Sequence, residues 1–177
     1  TGDFLDETSA VNPQTAYAEC KVKVETDVGA MADDNFSPVF LRNATAYGAS
    51  PRMRFDIVLN DLSGIAWTEN KIAMISDGTP WRPLVHVQDI CSAIKCSLEA
   101  PKDAIHNQIF NVGNTKNNYR VKEIAEIVGG VFPGCEVTFG DSSNDNRSYR
   151  VNFDKISPQL QGFECKWDAE PGPKQVK

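Results

Sequence analysis

Tyr17 and Lys21 stand four residues apart in a stretch that opens just after Pro13 and reads as a helix. Residues at this spacing share one helical face, so the ammonium can sit beside the phenol, favour its phenolate form and make the two a proton-transfer pair. Taken alone, the spacing is weak evidence, and a packed tyrosine beside a solvated lysine is the better reading of it. His86 is one of only two histidines, yet it falls inside the apolar run from Pro83 to Val87, where a structural role is the better reading. Asp89 reads as the cap of the helix that follows that run. The five cysteines (Cys20, Cys91, Cys96, Cys135 and Cys165) are odd in number and lack any CxxC spacing, which points to reduced thiols in a cytosolic setting and to no zinc site.

The elements that must position these residues alternate between helix and strand. Asn12-Pro13 starts a helix running to about Ala32, and Ser37 to Arg42 follows as a short apolar strand. Tyr47 to Pro51 is turn-forming, and Arg52 to Trp67 reads as helical, with Phe55, Val58, Leu59, Leu62 and Ile65 on one apolar face. Lys71 to Ile75 and Pro83 to Val87 read as a hairpin-like pair of strands turning at Asp77-Gly78, with a helix from Asp89 to about Glu99 behind them. Gln108 to Val112 is another strand. Val121, Ile124, Ala125 and Val128 mark an amphipathic helix stopped by Gly129-Gly130. Short strands at Cys135 to Phe139 and Tyr149 to Phe153 flank a polar loop, Gly140 to Ser148. A short helix from Lys155 to Leu160 comes last, and Glu170 to Lys177 closes no element.

The 177 residues are 41% hydrophobic and 24% charged, enough for one globular domain or two small lobes. With 24 acidic against 18 basic residues the net charge is −6, and no Lys/Arg run suggests a track for nucleic acid or a membrane surface. No stretch approaches the ~20 apolar residues of a membrane span, and the acidic start from Thr1 to Ser9 is unlike a signal peptide.

Five segments in order resemble the second half of the extended short-chain dehydrogenase/reductase superfamily, the NAD-dependent nucleotide-sugar epimerases and dehydratases. Asn12 to Lys21 (NPQTAYAECK) is similar to its Pro-x-x-x-Tyr-x-x-x-Lys, and Leu41 to Pro51 (LRNATAYGASP) to its Arg-x-x-x-x-Tyr-Gly-Pro. Trp81 to Ile90 (WRPLVHVQDI) is similar to its Arg-Asp-Phe-Ile-His-Val-x-Asp, Phe110 to Gly113 (FNVG) to a strand end, and Asn146 to Ile156 (NRSYRVNFDKI) to the stretch that closes over the nucleotide.

The resemblance implies an α/β fold: the C-terminal part of a Rossmann-type parallel sheet with a small mixed α/β substrate-binding lobe. Residues 1–50 would be the remnant of the dinucleotide-binding domain. Residues 51–177 would mainly form the substrate lobe, with 83–113 packing back on the sheet. Tyr17 and Lys21 would be catalytic and would also contact NAD or NADP, Tyr17 taking a proton from a sugar hydroxyl as hydride passes to the nicotinamide. Arg82 and Arg147 match positions that pair with the phosphates of a nucleotide sugar, and Asn60 one that caps them. Thr45 stands where sugar epimerases carry a substrate-binding Asn, which argues against a standard galactose-type enzyme. Arg52 and Arg54 would lie at the mouth of the cleft, and Trp81 would shape the nucleotide pocket or cover the hairpin.

No Gly-x-x-Gly-x-x-Gly stretch occurs in the chain. The N-terminal nucleotide-binding half is therefore expected to be missing and the chain inactive alone. A homodimer through the Tyr17–Lys21 helix is an assembly the resemblance allows. Two alternatives stay open: a non-catalytic module that binds a nucleotide sugar or assists assembly, and a carbonyl reductase of the same superfamily.

Overall fold

The computed structural model describes residues 4–142 and 147–177. Asn146, at the head of the fifth motif, and part of the Gly140 to Ser148 loop lie outside the described residues, as do Thr1 to Asp3. The first half of the chain contains β1 (Phe4–Leu5), α1 (Ala16–Gly29), β2 (Val39–Asn43), β3 (Thr45–Tyr47), α2 (Val58–Glu69), β4 (Lys71–Ala73), β5 (Trp81–His86) and α3 (Val87–Glu99). The second half adds α4 (Lys102–Ile105), β6 (Gln108–Val112), a 3-10 turn (Thr115–Asn117), β7 (Asn118–Arg120), α5 (Val121–Val131), β8 (Glu136–Thr138), β9 (Arg150–Val151), α6 (Ile156–Gln159) and α7 (Pro171–Val176). No helix among the described residues is long and apolar enough to cross a membrane.

Parallel pairing dominates, as α/β alternation requires. β2 lies beside β6 with Val39 against Gln108 and Asn43 against Val112. β3 lies beside β5 with Thr45 against Leu84, β4 beside β8, and β1 beside β9. Among the described residues only β5 with β7 runs antiparallel. Two apolar cores result among the described residues. Val85, Ala93, Phe110, Val112, Ile156, Leu160 and Phe163 fill one, around β6 and α3. The other packs α2 and α5 against β3, β4 and β5 through Tyr47, Leu59, Leu62, Ile72, Leu84, Ile124 and Val128.

Several boundaries differ from the sequence reading, each for a tertiary reason. Asp77-Gly78 does turn, with the Asp77 carboxylate accepting from the Thr79 N–H at 2.9 Å. It makes no hairpin, because the Pro80 and Gly78 carbonyls accept from the Val121 and Lys122 amides at the start of α5, leaving β4 to pair with β8 and sending β5 to β3 and β7. The helix expected from Arg52 begins only at Val58. Arg54 pairs with Asp56 and its carbonyl is taken by Asn60, so residues 52–57 stay a loop with Phe55 exposed.

Gly129-Gly130 does not stop α5. A Cβ at Gly129 would stand 2.5 Å from Val137 Cγ2, so the glycine lets the helix lie close on β8. Asp89 is not the cap of α3 either. His86 Nδ1 caps it by accepting from the Gln88 N–H at 3.1 Å. Asp89, buried in the third helical position, receives the Lys166 and Trp167 amides at 3.1 and 3.2 Å and the Cys165 thiol at 3.1 Å. At the C-terminus the chain does close an element, because Pro171 starts α7 and Gly172 packs on the Tyr47 ring.

Candidate active site

α1 starts where Thr15 Oγ1 accepts the Ala18 N–H at 3.2 Å, two residues before Tyr17. None of its residues is buried. Tyr17 is 73% exposed, and the Lys21 ammonium lies 5.5 Å from its ring centroid. One further turn along the same face, the Glu25 carboxylate takes a two-pronged contact from Arg42 on β2, with Nε to Oε1 at 2.9 Å and Nη2 to Oε2 at 2.5 Å. The contact holds the Arg42 cation above its ordinary value, the hydrogen bond to Glu25 being the largest cause. Arg42 Nη1 also reaches the Glu7 carbonyl at 3.4 Å, and the Glu7 carboxylate accepts the Asn111 N–H of β6 at 2.7 Å. The exposed Tyr–Lys face is thus fastened to both strands of the β2–β6 pair by a network that sequence reading missed.

Thr45 opens β3 and is half-buried. Asn60 is buried rather than solvent-facing. Its Oδ1 accepts the Gly48 N–H at 3.1 Å and its Nδ2 donates to the Arg54 carbonyl at 3.0 Å, so one side chain holds both ends of the loop after β3. That loop carries Arg54, whose cation is stabilised chiefly by its hydrogen bond to Asp56. Gly48 has φ +105°, and a Cβ there would fall 2.2 Å from His86 Nε2.

His86 is fully buried. Its Nε2 meets Gln175 Oε1 at 2.7 Å and its ring stacks on Trp167 at 4.1 Å, so both ring nitrogens serve the architecture. Neighbouring Tyr47 donates its hydroxyl to the Asp168 carbonyl. Burial pushes its phenol far above the ordinary range, which leaves it a neutral donor and no base.

Arg82, second residue of β5, donates Nη1 to the Trp81 carbonyl at 2.7 Å and to the Arg147 carbonyl. The structure therefore brings the Arg82 guanidinium to the backbone of Arg147. Beside them is a cavity of about 470 Å³ lined by Leu5, Thr79, Trp81, Arg120, Ser148, Tyr149 and Arg150. The guanidinium carbons of Arg120 and Arg150 each lie 5.2 Å from the Trp81 ring, and that of Arg150 also lies 4.4 Å from Phe4. Sequence reading singled out neither cation, since the signal lies in a strand register invisible before the pairing is known.

The chain belongs to the NAD dependent epimerase/dehydratase family, whose sequence pattern matches residues 2–113. Among solved structures it is similar to a UDP-glucuronic acid 4-epimerase from Bacillus cereus in complex with UDP-glucuronic acid and NAD, at 21% identity and a TM-score of 0.81, over 99% of this chain and 55% of that one. It is similar to a dTDP-glucose 4,6-dehydratase from Bacillus anthracis in complex with NAD, at 22% identity and a TM-score of 0.78, over 99% and 55%. A third likeness is to TunA, an NAD dependent NDP-hexosamine 5,6-dehydratase of tunicamycin biosynthesis, at 21% identity and a TM-score of 0.78, over 96% and 55%. At such identities the likeness is one of fold, the α/β arrangement with parallel strand pairs described above. The chain spans about half the length of the solved structures it matches.

Proposed function

We propose that this chain is the carboxy-terminal part of an NAD(P)-dependent nucleotide-sugar epimerase or dehydratase, with Tyr17 and Lys21 handling the proton at a sugar hydroxyl. The observation that carries this reading is the pairing on α1: a phenol and an ammonium share one exposed face, and that face is fastened to β2 through Glu25 and Arg42. The residues present fit the nicotinamide-ribose end of the coenzyme, where a hydroxyl and an ammonium can meet ribose hydroxyls. No Gly-x-x-Gly-x-x-Gly stretch serves its pyrophosphate in these 177 residues. When bound, the coenzyme supplies a hydride acceptor at the sugar carbon.

The rest falls to the chain. Tyr17 takes the proton from the hydroxyl on that carbon, and Lys21 offsets the negative charge carried by the phenol oxygen. Asn60 holds the loop that carries Arg54, and Thr45 opens the strand leading into that loop. Arg82 and Arg147 answer the charge of the nucleotide diphosphate, the guanidinium fork matching phosphate oxygens. Residues 1–50 then belong to the dinucleotide-binding side and 51–177 mainly to the substrate lobe, and the pairing of β2 with β6 supports a return of 83–113 to the sheet. Five free thiols support a reducing, cytosolic setting, and the uncovered α1 supports contact with a second copy.

Calorimetric titration of the chain with UDP-glucose, and separately with NAD, tests the reading. Saturable nucleotide-sugar binding is expected, weakened about tenfold by Arg82→Ala and unchanged by Tyr17→Phe. NAD is expected to bind more weakly than about 1 μM, roughly −8 kcal/mol, for want of its phosphate cradle. No binding of the sugar nucleotide would remove the substrate assignment, and tight NAD binding would remove the partial-enzyme reading.

A further inference from the structure

Lys21 is the middle of a row of three on α1, with Tyr17 one turn before it and Glu25 one turn after. Its other neighbours at three and four residues are Ala18 and Val24, so Glu25 is the one carboxylate that α1 itself can bring to the ammonium. An ammonium and a carboxylate at that spacing attract each other on a helix surface. Here the ammonium is turned the other way. It lies 5.5 Å from the Tyr17 ring centroid, and no ion pair of Lys21 occurs among the described residues.

We propose that Arg42 is a positioning residue for the Tyr17–Lys21 pair: by occupying both oxygens of Glu25 it keeps that carboxylate off Lys21 and leaves the ammonium's charge to the phenol. The role presupposes the proton chemistry of Tyr17 and Lys21 proposed above. Arg42 Nε reaches Oε1 at 2.9 Å and Oε2 at 3.2 Å, and Nη2 reaches Oε2 at 2.5 Å. A carboxylate gripped through both oxygens must break two charge-assisted contacts before it can turn to a lysine. The grip also comes from a fixed place, because Arg42 stands on β2, whose register β6 sets.

The second acid of the network is committed as well. Glu7 gives its carbonyl to Arg42 Nη1 at 3.4 Å, while its carboxylate accepts the Asn111 N–H at 2.7 Å. Without Arg42, Glu25 would be the acid set loose beside Lys21, and its negative charge would offset the positive charge that favours phenolate at Tyr17. A unit charge about 6 Å away, acting through water, changes an equilibrium about threefold. Two exposed side chains pair only part of the time, so the phenolate population of Tyr17 should change about twofold.

The test reads the ultraviolet phenolate band of the full chain at about pH 10 and low salt, with the Tyr17 signal taken as the difference from the same protein carrying Tyr17→Phe. Arg42→Met should lower that signal about twofold, adding Glu25→Gln should restore it, and high salt should shrink the difference. In a Lys21→Met background, Arg42→Met should lower it no further. Lys21→Met alone tests the underlying pair: if it leaves the signal unchanged, the Tyr–Lys reading itself fails and the role of Arg42 goes with it. If Lys21→Met lowers the signal and Arg42→Met does not, only the role of Arg42 fails. A fall that Glu25→Gln does not restore, or one equally large in the Lys21→Met background, would also overturn it, marking Arg42 as structural or as acting without Lys21. Where circular dichroism finds a variant unfolded in alkali, the Lys21 Nζ resonance in mildly acidic buffer replaces the band. That resonance should move in Arg42→Met and return with Glu25→Gln, and an unmoved resonance would overturn the proposal.

Discussion

Removing the carboxylate of Glu25 should loosen α1 more than any other element, because that helix has no buried residue to hold it by packing. Glu25 and Arg42 are 21% and 26% exposed, and their contacts run from 2.5 to 3.2 Å. An exposed pair contributes about 0.2–1 kcal/mol, whereas deleting one partner of a fully buried pair costs about 3–5 kcal/mol. With a quarter of each side chain still in water, Glu25→Gln should cost about 1.5–3 kcal/mol by interpolation between those limits. Arg42 would then keep one neutral acceptor at position 25 and the Glu7 carbonyl at 3.4 Å, with no negative charge to answer its own. Urea unfolding followed by circular dichroism reads the cost. For a chain of this length each kcal/mol lowers Tm by roughly 2–4 °C. A double-mutant cycle with Arg42→Met should return a coupling of about 1–2 kcal/mol, and hydrogen exchange should speed up first along α1. A cost under about 0.5 kcal/mol, the level of an ordinary surface change, or exchange that rises evenly over the chain, would refute the reasoning that this pair fastens the Tyr17–Lys21 face.

Further outcomes follow from the same geometry. Gly48→Ala puts a methyl 2.2 Å from His86 Nε2 at φ +105° and should cost more than about 3 kcal/mol, with His86→Ala in the same chain restoring part of it in thermal melts. Gly129→Ala should cost about 1–2 kcal/mol by pressing on Val137, and Val137→Ala should return most of that cost if the clash is the cause. Tyr47→Phe leaves the Asp168 carbonyl without its buried donor, a loss of about 1–2 kcal/mol measurable in urea. Asp33 and Asp77 are held below the usual aspartate range, chiefly by the amides of Asn35 and Thr79 respectively. Their contribution is therefore present above the ordinary value of 3.8 and is lost as pH falls through the depressed folded values. In a series of melts from neutral to acid pH, Asp33→Asn with Asp77→Asn should flatten the acid side of the Tm profile, and an unchanged acid limb would count against both turns.

Local pattern carried the sequence reading as far as local forces decide. α1, β2 and β6 were legible because Pro13, the Val39 to Leu41 run and the Ile109 to Val112 run each obey one period and end at their own breakers. The Tyr17–Lys21 pair was legible for the same reason, four residues being one helical turn. Reading failed where a distant partner overrides local preference. Glycines 129 and 130 look like a stop until Val137 is known to lie against the helix, and Asp89 looks like a cap until Cys165 to Trp167 arrive to use its oxygens. The Arg42–Glu25 tie and the Trp81–Arg120 stack join residues whose nearness depends on strand pairing, which no window along the chain contains.

The pairing order has a consequence for how the molecule comes into being. Phe4 waits for Arg150, Val39 for Gln108 and Lys71 for Glu136, so each of these early strands leaves the ribosome long before its neighbour exists. Contacts this distant are slow to close, and an unpaired strand edge in the interval is an invitation to aggregate. Nascent chains stopped just short of Arg150 should therefore hold β1 open to protease and need chaperone protection. Release of the next few residues should withdraw that segment from attack.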